Sequence, residues 1–323
     1  MNFITNSQNG SAEGFCIIKT CEKKVTAKGL NYLDLILSDA DGEINGKIWD
    51  YDAAAWGEYA AGDIVKVRGI VSKYNNIDQI KIDRIRKATE ADNININDYV
   101  KSAEFSSEDM YSEILAVANN ISNGDIKSVV LAILEDYKDK LLFWPAAFKL
   151  HHAMRGGLLY HTLSVLRLCQ SVVKIYPFMN SDLLFAGAIL HDIAKISEFE
   201  VTQTGLASGY STEGNLLGHL VKGAIIVERY SEKLGVDKEI SLLLEHMLIS
   251  HHGEPDFGAA VRPMFIEAEV LSSLDTLDAK IFEMADAVEQ TELHGFSQRL
   301  WALNDRRLYN HGLSEEERKV NLL

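Results

Sequence analysis

The first 88 residues alternate apolar and polar positions with a period of two, which is the pattern of half-buried β-strands. Strands are predicted at residues 14–24, 31–38, 43–50, 63–73 and 77–87. Between the third and fourth strands, an Ala-rich stretch from Asp52 to Gly62 predicts a short helix. This part of the chain is therefore expected to fold as a small β-domain with one helix.

The order of these elements is that of an OB-fold, a five-stranded barrel used to bind single strands and oligosaccharides. In the third and fourth strands, the alternation predicts four inward-facing residues, Ile44, Ile48, Val65 and Val67. The opposite face then carries Lys47, Trp49, Lys66 and Arg68. Because basic groups attract phosphates and a Trp ring can stack on a base, this set is a candidate nucleic-acid surface. The alternative is that the cations only solvate the barrel and Trp49 covers one of its ends.

From Ser107 onward the apolar positions recur with helical spacing, after an N-cap at Ser106 or Ser107. Further helices are predicted near residues 125–140, 158–175, 181–196, 213–234, 237–251, 264–290 and 297–310. The polar stretch 89–106 is expected to be a linker, and 199–211 a loop or short hairpin. The sequence thus predicts an α+β protein of two domains, a five-stranded OB-fold barrel in residues 1–88 and an all-α domain in residues 107–323.

Charge and composition narrow the environment and the partners of the protein. The net charge is −15, of which residues 1–90 carry only −1, so the acidic surplus lies in the helical part. A near-neutral module with basic stripes can bind a strand, while an acidic remainder suits metal-binding carboxylates or solvated helix faces. The chain shows no apolar run of roughly 20 residues, no signal peptide and no CxxC spacing among its three cysteines. A cytoplasmic protein with no membrane partner is expected.

An apolar stretch, GAILHDIAKI at residues 187–196, places an imidazole next to a carboxylate. Burying His191 and Asp192 is costly unless something binds or pairs them. One interpretation is a His–Asp hydrogen bond at a helix end, and the other is a metal site. The remaining histidines bear on this choice.

Histidines with apolar neighbours one turn away recur on separate predicted helices: His161, His191, His219, and His251 with His252, followed by Asp275. A single histidine of this kind is usually a core residue, but a set that converges from several helices is typical of metal ligands. Imidazole and carboxylate without thiolate favour Mn²⁺, Fe, Zn²⁺ or Ni²⁺ over Ca²⁺ or Mg²⁺ alone. The set suffices for two ions, with Asp192 as a candidate bridge and Lys195 on the same helical face as a contact for phosphate charge.

The order H…HD…H…HH…D in these residues resembles the HD-domain metal-dependent phosphohydrolases. The strings RGGLLYHTLSV, HDIAKI, ISHHGEPDFG and LDTLDAK behind an OB-like domain resemble one branch, the YhaM-type 3′→5′ exoribonucleases. The resemblance implies a Mn²⁺-favouring hydrolase that removes nucleotides from the 3′ end of single-stranded RNA, with single-stranded DNA as a further substrate. It also implies that the metal ligands are His161, His191, Asp192, His219, His251 and Asp275. His252 is then either a ligand or a substrate contact.

Two other functions fit the same residues. One is a phosphohydrolase for a small nucleotide or cyclic dinucleotide, and the other is a non-catalytic nucleic-acid-binding accessory protein. The OB-like domain favours a polymer substrate, and the complete ligand set favours catalysis.

Weaker candidates lie around the histidine set. His152 and Arg155 are candidate substrate contacts. His246 is expected either to support the ligands or to be structural, and Asp278 is expected to support the ligands rather than to bind metal. The segment 297–310, with Arg299, Trp301 and further basic residues, is either a strand-guiding surface or a packed helix. The sequence has no apolar stripe that requires the protein to oligomerise, and both a monomer and a homo-oligomer are compatible with it.

Overall fold

A computed structural model describes residues 10–39, 42–74, 77–94, 99–100, 102–148, 154–202 and 204–313. The chain divides into two compact units. The first comprises Met1–Ser102 with Glu200–Gly209, and the second comprises Ala103–Phe199 with Tyr210–Leu323. Because the first contains a β-barrel and the second is helical, the predicted α+β, two-domain fold class is confirmed.

Five strands of the first unit close into a barrel with the order β1-β2-β3-β5-β4. They are β1 (Ser11–Val25), β2 (Asn31–Asp39), β3 (Gly42–Trp49), β4 (Ile64–Tyr74) and β5 (Ile77–Lys87). All neighbouring pairs are antiparallel except β3 and β5, which run parallel. A single helical turn, α1 (Ala53–Trp56), lies between β3 and β4 and ends at Gly57, whose φ of 85° stops the helix.

The alternation predicted for the strands is confirmed, because buried apolar side chains fill the barrel and polar ones lie outside. The four predicted inward residues, Ile44, Ile48, Val65 and Val67, all belong to the barrel core. At one point β4 and β5 approach too closely for a side chain. A Cβ atom on Gly69 would lie 2.3 Å from the carbonyl oxygen of Lys81, so only glycine fits there.

The second unit is built from helices, several of which have first turns capped by polar side chains. The helices are α2 (Ser107–Asn119), α3 (Gly124–Leu141), α4 (Gly157–Ile175), α5 (Ser181–Leu190), α6 (Lys195–Glu198), α7 (Thr212–Leu234), α8 (Lys238–Ser250) and α9 (Ile266–Glu289). Ser106, Asn180 and Ser211 each accept a hydrogen bond from a backbone N–H of the first turn. Two short strands, β6 (Phe199–Val201) and β7 (Ala207–Tyr210), form the hairpin expected in residues 199–211, of which residues 200–209 belong to the first unit. No helix in the described part of the chain is both long and apolar enough to cross a membrane.

Two predicted helices differ from the structure. The helix predicted over 181–196 ends at Leu190, since the backbone then tightens into three-residue turns in which Lys195 N–H donates to the Asp192 carbonyl oxygen at 3.0 Å. The helix predicted over 297–310 is wrong. That segment folds back on itself through bridges between Phe296 and Tyr309 and between Leu300 and Arg306. Positive φ angles at residues 304 and 305 are incompatible with a continuous helix.

We expect Gly69→Ala to destabilise the barrel by about 1–3 kcal/mol, because the new methyl group must displace the β5 backbone. Urea unfolding measured by circular dichroism tests this. The matched control is Gly124→Ala at the start of α3, where no atom lies within 4 Å of the added Cβ. The control should keep or slightly raise the free energy of unfolding. Equal midpoints for both variants would contradict the close approach.

Candidate metal centre

The predicted ligands come together in the helical unit although they lie far apart in sequence. His161 lies in α4, His191 follows α5, His219 lies in α7, His251 and His252 follow α8, and Asp275 lies in α9. Most of these side chains are buried, and His191 and His251 are fully inaccessible. They form two groups of ligand atoms, each group within 4.8 Å of itself.

The first group consists of His161, His191 and Asp275. The Nε2 atom of His161 lies 3.1 Å from the Nε2 atom of His191 and 3.0 Å from Asp275 Oδ1. Ligands held at about 2.1 Å from one metal ion are about 3.0–3.4 Å apart. Two of the three distances fall in this range, and the third, from His191 Nε2 to Asp275 Oδ1, is 3.8 Å, so the three atoms are close enough to share one ion after a small adjustment.

The second group consists of His219, His251 and His252. The Nε2 atoms of His219 and His252 are 3.2 Å apart. Burial lowers the pKa of His251 to about 4, so at neutral pH its ring is uncharged. This group offers imidazole nitrogens alone.

Asp192 lies between the two groups and presents one carboxylate oxygen to each. Its Oδ2 atom is 3.4 Å from the Nε2 atoms of both His161 and His191. Its Oδ1 atom is 3.5 Å from His219 Nε2 and 3.7 Å from His251 Nε2. Asp192 Oδ1 and His251 Nε2 are both buried without a hydrogen-bond partner among the described residues. Leaving a carboxylate oxygen and an imidazole nitrogen unpaired is costly, and a cation shared by both would remove that cost. The donor set therefore fits a divalent metal.

The opposite ring nitrogens of the five histidines are all held in place. Three Nδ1 atoms donate to backbone carbonyl oxygens: His191 to Ala188 at 2.9 Å, His251 to Leu248 at 2.8 Å and His252 to Phe257 at 2.8 Å. His161 Nδ1 lies 2.8 Å from Asp278 Oδ2, and His219 Nδ1 lies 3.0 Å from Glu198 Oε2. A carbonyl oxygen can only accept, so each of these three rings carries a proton on Nδ1, and Nε2 is the nitrogen left to face a metal.

The two carboxylates beside His161 affect its protonation. Burial disfavours a charged ring, but Asp275 and Asp278 outweigh it and raise the pKa of His161 to about 10. Asp278 is itself fixed by a hydrogen bond from Ser164. Metal binding at Nε2 of His161 would therefore release a proton.

Lys195 contacts the central carboxylate directly. Its Nζ atom donates to Asp192 Oδ2 at 2.7 Å, while its own carbonyl oxygen accepts from Trp144 Nε1 at 2.9 Å. Burial opposes ionisation of Asp192, but Lys195 and then His191 outweigh it and hold the pKa of the Asp192 carboxyl well below its usual range. The carboxylate is therefore charged and able to bind a cation.

Glycines shape the backbone where two of the ligand segments begin or end. Gly218 has a φ of 67° inside α7, which kinks the helix immediately before His219. At this kink Glu198 accepts from the backbone N–H of His219 at 3.3 Å as well as facing its ring. Gly253 has a φ of 77° just after the histidine pair, and a Cβ there would lie 2.9 Å from Ser272 Oγ. Both turns therefore use left-handed backbone conformations that favour glycine, and at Gly253 an added Cβ would also be too close to Ser272.

Glu198 is the supporting residue that our sequence analysis missed. Glu198 is buried, and in the sequence it lies near two apolar residues, Ile196 and Phe199, shortly after HDIAK. A carboxylate in such an apolar stretch was the signal that could have identified it. Asp278 supports His161 as expected. His246 takes no part in the centre, because its Nε2 accepts from the backbone N–H of Met264 at 3.0 Å.

The four candidate nucleic-acid residues lie on two strands, β3 and β4, that are separated by a third. Lys47 lies on β3, over the rings of Tyr32 and Trp49 at 5.1 and 5.9 Å. Lys66 and Arg68 lie on β4, with β5 between the two strands. The roles of all four as nucleic-acid contacts stay predictions.

Among the weaker candidates, Arg155 and the segment 297–310 lie in the described part of the chain. Arg155 lies over the ring of Phe143 at 5.6 Å, and His152 lies outside the described residues. In the C-terminal fold-back, Arg307 covers Phe296 while Trp301 is 72% exposed. The arrangement there is an irregular hairpin with an exposed ring rather than a helix packed by its leucines.

Comparison with known proteins extends these observations. Residues 158–280 match the HD domain family. The chain is 35% identical over 299 residues to a 3′-5′ exoribonuclease YhaM from Listeria monocytogenes, covering 92% of this chain and 94% of the relative. It is 36% identical over 293 residues to a 3′-5′ exoribonuclease YhaM from Bacillus pumilus, covering 91% and 92% respectively. Since the similarity extends over nearly the whole length of both proteins, the chain belongs to the YhaM family of 3′-5′ exoribonucleases.

Proposed function

We propose that this protein is a metal-dependent 3′→5′ exonuclease that hydrolyses phosphodiester bonds of single-stranded RNA, with single-stranded DNA as a second substrate. The observation that carries the proposal is the buried Asp192, whose two oxygens face two separate groups of imidazole nitrogens. Its Oδ1 atom lies 3.7 Å from His251 Nε2, and neither of these two buried atoms has a hydrogen-bond partner among the described residues. Family membership supports RNA as the polymer and the 3′ end as the point of attack.

The residues that would hold the metal are His161, His191, His219, His251, His252 and Asp275, with Asp192 shared between the groups. When bound, divalent cations supply positive charge at the scissile phosphate and lower the pKa of the attacking water. Dependence on a divalent metal follows from the HD domain. We favour Mn²⁺, as one or two ions, with Fe, Zn²⁺, Ni²⁺ and Mg²⁺ as alternatives, because the donors are imidazole and carboxylate without thiolate.

The protein's own groups prepare the site for a phosphate. His252 and Asp275 are its most accessible members, so substrate is expected to approach from their side. Lys195 keeps Asp192 ionised and adds a positive charge where negative charge develops on the phosphate. The carbonyl oxygens and carboxylates behind the rings prevent the imidazoles from turning away.

The barrel supplies a surface for the strand. Trp49 stacks on Tyr32 with ring centroids 4.9 Å apart, and Trp49 is 38% exposed. Lys47 lies above both rings, and its charge is tied to Asp34 at 2.9 Å. We propose that a base stacks on this aromatic pair while phosphates contact Lys47, and that Lys66 and Arg68 contact the strand further on. Residues 1–88 would then be the RNA-binding domain, 89–106 the linker and 107–323 the HD domain of a cytoplasmic enzyme.

Replacing Asp192 with Asn should lower the rate of RNA hydrolysis by about 10³-fold or more, because the metal centre loses a negative charge. The measurement is the 3′-end shortening of a 5′-labelled single-stranded RNA with Mn²⁺ and with EDTA, together with bound metal per chain. Asp139→Asn, an exposed aspartate on α3, is the control and should behave as the wild type. Wild-type protein that leaves RNA intact but cleaves a cyclic dinucleotide would overturn the polymer substrate. Binding without any turnover would instead support an accessory protein.

Glu198→Gln should reduce metal affinity and activity by about 10- to 100-fold, because the His219 ring loses the carboxylate that orients it. Metal titration by isothermal calorimetry gives the affinity, and the RNA assay gives the rate. Glu200→Gln, an exposed glutamate two residues along, is the matched control. An unchanged metal affinity in Glu198→Gln would show that this contact does not support the centre.

Trp49→Ala should raise the KM for a 20-nucleotide RNA by about 10-fold while leaving kcat unchanged, since one stacked base is worth about 1–3 kcal/mol. Trp49→Phe keeps a stacking ring and should retain most of the affinity. A fall in kcat with unchanged KM would contradict a role in strand binding.

A further inference from the structure

An exposed phenylalanine ring lies beside the candidate metal centre. Phe257 ends a single 3₁₀ turn, Pro255–Phe257, which follows the histidine pair after α8. Its side chain is 73% exposed. Single exposed apolar residues are common on protein surfaces, so exposure alone does not indicate a function. The position of this ring relative to the ligands is the informative feature.

The backbone of Phe257 is bonded directly to one of the candidate ligands. Its carbonyl oxygen accepts from His252 Nδ1 at 2.8 Å, and the opposite nitrogen of that ring, Nε2, lies 3.2 Å from His219 Nε2. Only the His252 ring therefore separates the Phe257 backbone from the nitrogens that would bind metal. His252 is the partly exposed member of its group, whereas His219 and His251 are buried. Phe257 thus belongs to the accessible side of the centre.

The turn that carries the ring has a well-defined backbone. Pro255 has a φ fixed by its own ring, and the Phe257 N–H donates to the Glu254 carbonyl oxygen at 2.9 Å. The N–H of Gly258 donates to the Pro255 carbonyl oxygen at 2.9 Å, and a φ of 97° at Gly258 ends the turn. Because the backbone is already ordered, a ligand that contacts this ring loses little affinity to the ordering of the loop.

A second apolar side chain lies at the same turn. A Cβ atom added to Gly258 would lie 3.9 Å from Leu220 Cδ1 and 3.9 Å from His252 Nδ1. Leu220 directly follows His219 in α7. Both His219 and His252 therefore have a large apolar side chain in their immediate vicinity.

The chemistry of an exonuclease requires a contact of this kind. The 3′-terminal nucleotide is joined to the strand only through its 5′ phosphate, which is the group under attack. The enzyme must therefore hold this nucleotide by contacts close to the centre. Its base is one ribose away from that phosphate, and every base has a π-face that can stack on an aromatic ring whatever the sequence.

We propose that Phe257 stacks on the base of the 3′-terminal nucleotide while the 5′ phosphate of that nucleotide occupies the metal centre. This inference rests on the proposed function and deepens it, because it assigns the subsite of the leaving nucleotide. The ligand class is a nucleoside 5′-monophosphate of any base. Phe257, His252 and Leu220 all belong to the helical unit, so the subsite is independent of the barrel.

The first test is calorimetric titration of the Mn²⁺-loaded full-length protein with AMP and with ribose 5-phosphate, which lacks the base. Phe257→Ala should weaken AMP binding about tenfold and leave ribose 5-phosphate within twofold of wild type. Phe257→Trp keeps a stacking ring and should retain the AMP affinity. Bound Mn²⁺ per chain should stay the same in both variants, because the carbonyl oxygen that holds His252 persists.

Phe178→Ala is the matched control. Phe178 is 72% exposed, and it precedes α5, whose opposite end leads to His191. Ten helical residues, about 15 Å, separate it from the centre. This variant should bind AMP as the wild type does. Equal AMP affinity in Phe257→Ala and wild type, or an equal loss for AMP and ribose 5-phosphate, would overturn the stacking role.

The second test identifies which base is stacked. It measures kcat/KM for release of the first nucleotide from three 8-nucleotide RNAs: one intact, one abasic at the 3′ end and one abasic at the penultimate position. Phe257→Ala should lower kcat/KM about tenfold on the intact and penultimate-abasic RNAs and leave it unchanged on the 3′-abasic RNA. A loss that disappears on the penultimate-abasic RNA instead would refute the terminal assignment.

Failure of the proposed function has a different signature. Wild-type protein that shortens no RNA would refute the exonuclease, whereas the AMP titration reports on Phe257 without any turnover. The two failures are therefore distinguishable.

Discussion

Burial of the Asp192 carboxylate among imidazoles is the constraint on which the helical unit depends. A carboxylate removed from water costs several kcal/mol unless cations and hydrogen bonds compensate for it. In this protein Lys195 contacts one oxygen at 2.7 Å, and the other oxygen faces nitrogens at 3.5 and 3.7 Å, too far for hydrogen bonds. The helices that surround Asp192 each deliver a ligand or a residue that holds one. The packing of these helices therefore brings the candidate ligands together.

Much of the fold and of the ligand set was predictable because both depend on local patterns. Period-two alternation predicted the faces of β3 and β4, and N-cap residues such as Asn180 predicted helix starts. The candidate ligand histidines were recognisable because imidazoles on apolar helix faces are unusual in such number. Asp192 was a candidate bridge between two ions, and its two oxygens each lie 3.4–3.7 Å from two of the imidazole nitrogens. Its role as a bridge stays a prediction.

What the sequence did not predict depends on long-range contacts or on backbone conformations. Glu198 contacts the ring of His219, which lies 21 residues further along the chain. The contact occurs at the kink of α7 at Gly218, and the spacing of apolar residues does not predict that kink. The C-terminal segment has helical spacing of its leucines, yet left-handed residues at 304 and 305 turn it back. Separation of Lys47 from Lys66 followed from strand order, because β5 enters between β3 and β4. The order of the strands is a property of the closed barrel rather than of any one strand.

The anchors behind the imidazoles differ in how readily evolution can adjust them. His191, His251 and His252 are oriented by backbone carbonyl oxygens, which persist whatever side chain occupies those positions. His161 and His219 are oriented by side chains, Asp278 and Glu198. Each ligand group thus contains one genetically variable anchor and at least one invariant one. A single substitution at Asp278 or Glu198 can change the basicity of one group without affecting the other. The rings held by backbone carbonyl oxygens keep their orientation under such substitutions.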